Sequence, residues 1–111
     1  MRAGWYERPG SAYEVITVGE MPTPEPGPGE VRVHIHASGI SPSDYKRRAS
    51  AKGGMEFPRI VPHSDGAGVV HAAGDGVSNV AEGDEVIILP SLAWGDDQRA
   101  PGPRFRILGG P

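Results

Sequence analysis

Residues 30–37, "EVRVHIHA", alternate without a break: Val31, Val33, Ile35 and Ala37 fall on one side of an extended chain, and Arg32, His34, His36 and then Ser38 on the other. A sustained period of two is the mark of a β-strand with one buried face and one wet face or cleft wall. The strand is preceded by a connector in which Pro22, Pro24, Pro26 and Pro28 hold the chain in an extended, polyproline-like path. It is followed by "SPSDYKRRA", residues 41–49, which predicts a helix. Ser41 suits the N-cap, Pro42 the first helical position, and Asp44 the far corner of a capping box. Lys46, Arg47 and Arg48 then stand where cations oppose the C-terminal dipole of a short helix.

Working outward, Arg2 to Tyr6 and Tyr13 to Val18 are predicted strands, joined as a hairpin at Pro9-Gly10. "DGAGVVHAAG", residues 65–74, predicts a strand whose glycines leave room for a close backbone approach. "DEVIILP", residues 84–90, predicts a buried strand. Beyond Pro90 the pattern dissolves into polar residues, Pro and Gly with isolated Trp94, Phe105, Ile107 and Leu108, so residues 1–90 form one unit and residues 91–111 an irregular arm.

The chain has 111 residues, enough for one small core. Lys and Arg (11) against Asp and Glu (14) leave a net charge of −3, which offers no broad attraction for nucleic acid or an anionic membrane. With no cysteine, disulfides and thiolate metal sites are excluded, and a small domain without such staples suits a reducing, cytoplasmic compartment. No segment approaches the roughly 20 apolar residues of a membrane helix. Gly (17) and Pro (12) are abundant, but they cluster between alternating runs, as in a turn-rich, mainly β domain.

Three segments, "GPGEVRVHIHASGISPSD", "VPHSDGAGVV" and "GDGVSNVAEGDEVII", together resemble the N-terminal, GroES-like domain of the medium-chain dehydrogenase/reductase superfamily, which includes zinc alcohol dehydrogenases and zinc-free quinone oxidoreductases. The resemblance implies a GroES-like, partly open β-barrel with one or two short helices, forming one wall of an active-site cleft. The other wall would be a Rossmann domain that binds NAD(P). No G-x-G-x-x-G follows a strand here, so that domain is expected outside this chain, with the fragment alone inactive.

In zinc-dependent members of that superfamily the segment before the Gly-rich strand reads Gly-His-Glu, and a Cys stands beyond the earlier strand end. Here His63, Ser64 and Asp65 take the first three places and Ser41 the fourth. Zinc needs about three N, S or carboxylate ligands in a catalytic site, and two of the usual ones are hydroxyls, so no zinc is expected. The arm that holds a second, four-cysteine zinc site in the same family has no cysteine. Adjacent residues in a strand also point to opposite faces, which separates His63, Ser64 and Asp65 as a metal set or a nucleophile triad. His34 and His36 share a strand face but have no evident third ligand.

The resemblance to zinc-free quinone oxidoreductases implies a cleft lined by the start of the helix. Ser41, Asp44 and Ser64 are the candidate catalytic residues, and Ser43, Tyr45 and Lys46 the candidate contacts to NADPH, most of which the absent domain would bind. Ser41 and Asp44 also have a complete structural role as a helix cap. Lys46, Arg47, Arg48 and Lys52 could meet a phosphate or simply form a solvated helix end. The expected activity is zinc-independent, NADPH-dependent reduction of a small-molecule quinone or enone, by a protein whose partners are its own Rossmann domain and, as an open question, a second copy. A zinc alcohol dehydrogenase relative with an atypical metal site and a non-catalytic β-barrel binding module remain as alternatives.

Overall fold

The computed structural model describes residues 1–50, 54–55 and 57–108. Among the described residues, three small antiparallel sheets form a mainly β fold that does not close into a full barrel. Strand β1 (Arg2–Trp5) pairs with β2 (Thr17–Glu20), with Arg2 opposite Glu20 and Trp5 opposite Thr17. Between them lies a single helical turn, α1 (Ala12–Val15). The central sheet has the order β3 (Val31–Ser38), β4 (Gly66–Ala73), β5 (Glu85–Ile88). Helix α2 (Pro42–Ala49) follows β3, and β6 (Ser91–Leu92) pairs with β7 (Arg106–Ile107). Among the described residues no helix is long and apolar enough to cross a membrane.

The hairpin expected near the N-terminus exists, but its second strand starts later than the alternation of "YEVITV" suggests. The Ser11 hydroxyl donates to the Glu14 carboxylate at 2.8 Å, and the amides of Glu14 and Val15 both donate to the Ser11 carbonyl, which closes α1. Val15 is thereby buried against Tyr6 and Ile60, the packed centre of the molecule, where Tyr6 is only 2% exposed. Burial of that apolar contact outweighs a local strand preference.

The glycines of β4 do what the sequence implies. A Cβ on Gly66 would stand 2.6 Å from the Ala37 carbonyl oxygen, and one on Gly68 would collide with the carbonyl of His34. Two register shifts in β3, between Arg32 and Val33 and between Ile35 and Ala37, accompany this tight approach.

Two burial expectations are corrected. Val31 and Ile35 remain exposed on β3, and on β5 only Val86 and Ile88 are half-buried while Ile87 is 80% exposed. The reason is topological: β5 is an edge strand of a three-stranded sheet, and no described layer covers its outer face. The arm is also less irregular than its composition suggests. Besides the β6–β7 ladder, Trp94 and Phe105 stack edge to face at 5.3 Å, and the Trp94 indole N–H donates to the Asp97 carbonyl at 3.0 Å.

Candidate functional site

Helix α2 begins as its sequence dictates. Ser41 has extended backbone angles, and its amide donates to Asp44 Oδ2 at 2.7 Å, the carboxylate half of the capping box. The other oxygen, Asp44 Oδ1, accepts the amide of His63 at 3.3 Å. One half-buried carboxylate therefore ties the start of α2 to the segment that enters β4. At the far end of α2, the Arg48 carbonyl accepts the Gly10 amide at 2.9 Å while its guanidinium donates to the Gly10 carbonyl at 2.5 Å.

The segment "VPHSD" is a bend outside the strand, since β4 starts at Gly66. His63 sits at φ 79, a left-handed conformation that a side-chain-bearing residue adopts only at a cost. His63 and Asp65 go separate ways: His63 Nδ1 meets the Ser38 hydroxyl at 2.7 Å, and the Asp65 carboxylate lies against Gly39. Ser64 lines a cavity instead. The sequence argument for their divergence assumed a strand; the structure keeps the divergence and replaces its cause with a turn.

That cavity, about 170 Å³, is lined by Ser43, Asp44 and Arg47 from α2, Tyr6 and Ile60 from the packed centre, Pro62 and Ser64 from the bend, and Ile107 from β7. Three of the candidate residues, Ser43, Asp44 and Ser64, thus share one wall system although two chain segments supply them. Ser41 stands behind it, its hydroxyl 2.5 Å from that of Ser43. Tyr45 and Lys46 are exposed and do not line this cavity. Lys52 lies outside the described residues. His34 and His36 are exposed neighbours with ring centroids 5.3 Å apart, and no three His, Cys, Asp or Glu side chains form a metal-holding group among the described residues.

Electrostatically the site is a mixture of one carboxylate and two cations around a phenol. Burial pushes the Tyr6 hydroxyl above its ordinary range, Arg47 and Arg48 pull it back, and Asp44 adds to the rise. Tyr6 stays a neutral donor at physiological pH. Sequence reasoning missed Tyr6, Ile60 and Ile107 as lining residues, because an isolated bridge between Tyr6 and Ile60 and the late strand β7 bring them in from distant parts of the chain. No local pattern announces such contacts. Chemically, the cavity offers two hydroxyls, a phenol and a guanidinium, all donors to an electronegative atom.

A family model, the alcohol dehydrogenase GroES-like domain, matches residues 27–105. Among solved structures, a NAD-dependent alcohol dehydrogenase is 40% identical, with a TM-score of 0.80 over 98% of this chain and 33% of that one. A cobalt- and zinc-bound thermostable alcohol dehydrogenase from Pyrobaculum aerophilum is 38% identical, with a TM-score of 0.76 over 89% of this chain and 29% of that one. Escherichia coli quinone oxidoreductase complexed with NADPH is 25% identical, with a TM-score of 0.70 over 78% of this chain and 26% of that one. No curated protein matches the chain. The chain spans about a third of the length of these structures or less. A family match over most of the sequence, with the same fold over nearly its full length, means that this chain belongs to the alcohol dehydrogenase GroES-like domain family, within the medium-chain dehydrogenase/reductase superfamily.

Proposed function

We propose that the chain forms the cleft wall of a zinc-independent, NADPH-dependent oxidoreductase that reduces quinones or activated enones, working with a Rossmann cofactor domain. The observation that carries this reading is the shared cavity of Ser43, Asp44 and Ser64, in which Ser64, a hydroxyl, stands at the position where the zinc-dependent pattern has a ligand histidine. The donor set does not fit zinc: Ser41 and Ser64 supply hydroxyls where the zinc-dependent pattern has a cysteine and a histidine, and the Asp44 oxygens already accept two amides.

NADPH, when bound, supplies the hydride. The chain's own contribution is to position a carbonyl and to stabilise the negative charge that grows on its oxygen. Ser64 and Ser43 donate from the cavity wall, Ser41 supports Ser43 through the 2.5 Å contact, and Asp44 acts as a positioning residue. Tyr45 and Lys46 are exposed on the same helix as Ser43 and Asp44, which supports reading them as contacts to the cofactor.

In the assembled enzyme, Ser64→Ala is expected to lower kcat/KM for a quinone by roughly tenfold or more, with stability unchanged within about 0.5 kcal/mol. Unchanged kcat/KM removes Ser64 from the site. One observation favours a second reading, a zinc alcohol dehydrogenase relative: the 38% identical relative is cobalt- and zinc-bound. Stoichiometric zinc in the purified enzyme, with alcohol oxidation lost on its removal, decides for that reading.

A further inference from the structure

Arg47 is the one cation of α2 that lines the cavity, and with other described residues it makes no hydrogen bond or ion pair. Its neighbours are already engaged: Arg48 holds the Gly10 carbonyl, and both Asp44 oxygens accept backbone amides. Lys46 does not line the cavity, so the stretch of three cations leaves a single guanidinium there without an acceptor among the described residues. Around it stand two hydroxyl donors, Ser43 and Ser64, and an apolar lining of Ile60, Pro62 and Ile107 with the Tyr6 ring.

We infer that Arg47 is a specificity-determining residue that reads a carboxylate on the substrate, so that the enone or quinone taken by this cleft is anionic. This deepens the proposed function and rests on it. A guanidinium is a planar fork suited to a carboxylate, and the hydroxyls of Ser43 and Ser64 lie on the same cavity for the carbonyl end of a short molecule. A doubly charged phosphate is the poorer fit, since the Asp44 carboxylate shares the lining and repels the second charge.

The test uses one enone in two charge states, 4-oxopent-2-enoate and its methyl ester. In the assembled enzyme, Arg47→Met is expected to lower kcat/KM for the acid about tenfold more than for the ester, with Arg47→Lys between. Equal losses for acid and ester overturn the inference, as does an acid preference that survives in Arg47→Met. Heteronuclear NMR of the assembled enzyme without NADPH gives a readout free of turnover. The acid is expected to shift the Arg47 Nε resonance, and neither the ester nor inorganic phosphate to do so at equal concentration. Phosphate shifting it as strongly as the acid also overturns the inference. If the acid shifts Arg47 but neither probe is reduced, the proposed reaction fails while the carboxylate site stands; turnover without any Arg47 dependence is the reverse.

Discussion

Replacing Asp44 tests the joint between helix α2 and the bend at His63, on which the site geometry depends. Asp44→Ala removes the acceptor for the Ser41 amide at 2.7 Å and for the His63 amide at 3.3 Å. Hydrogen bonds to a charged group contribute about 1.5–3 kcal/mol each, and a lost helix cap costs about 1 kcal/mol. The first contact is short and the second long, and the carboxylate is half-buried, so about 1.5 kcal/mol for the first and about 0.5 for the second is reasonable. The expected loss is about 2 kcal/mol, which at a typical urea slope of about 1–3 kcal/mol per molar lowers the unfolding midpoint by roughly 1 M. Asp44→Asn keeps one acceptor and should lose about half as much. Urea unfolding followed by tryptophan fluorescence measures both, with Asp96→Ala, an exposed acid, as the control for net charge. Hydrogen exchange adds a local readout, since the amides of Ser41 and His63 should exchange faster than those of β3 in either variant. A midpoint within error of the parent for Asp44→Ala, or unchanged exchange at His63, refutes the joint.

Gly68→Ala should cost roughly 3 kcal/mol or prevent folding, because its Cβ meets the His34 carbonyl across the ladder; a thermal midpoint near that of the parent shows that β3 and β4 are not in this register. His63→Gly should stay within about 0.5 kcal/mol of the parent, because relief of the left-handed backbone offsets the lost contact to Ser38, whereas the β-branched His63→Val should lose about 2 kcal/mol or more. His63→Val at parental stability contradicts the turn. For Tyr6, burial raises the phenol above its reference value of 10.0, so the unfolded chain loses that proton first. The contribution is fully present below pH about 10 and falls as pH rises through the raised value. Tyr6→Phe should flatten that alkaline decline relative to the parent; identical slopes across the alkaline range tell against it.

What was legible in the sequence is what neighbouring residues decide among themselves. Ser41, Pro42 and Asp44 specify the start of α2 within one turn, and the structure starts it there. The alternation of residues 31–37 specifies β3, and the glycines of "DGAGVV" announce the close approach of β4. Where a distant partner decides, the pattern fails. "YEVITV" alternates like a strand, yet Val15 packs with Tyr6 and Ile60, and the chain takes a helical turn to let it. "DEVIILP" is less buried than its composition implies, because a run of apolar residues says nothing of whether its strand is central or at an edge. The candidate site divides the same way: Ser43, Asp44 and Ser64 were found from the helix start and the bend, while Tyr6, Ile60 and Ile107 arrive through long-range pairing.

The bend also explains how one scaffold can carry different cleft chemistry. In the zinc-dependent members of the superfamily that this sequence resembles, a glycine precedes the ligand histidine, and here that glycine's place is held by His63 at φ 79. The backbone conformation that a glycine adopts freely is therefore kept when the residue changes, at a cost that the Ser38 contact and the Asp44 acceptor offset. Because the turn is held by main-chain atoms and by a carboxylate on α2, the side chain at the next position can change without moving the wall. Ser64 stands where a metal-binding histidine would stand in the zinc-dependent pattern, and Ser41 where a cysteine would, so chemistry at these two positions is separable from the fold that presents them. Ile60, Ile107 and the guanidinium of Arg47 line the same cavity as Ser64, and they too come from elements other than the bend.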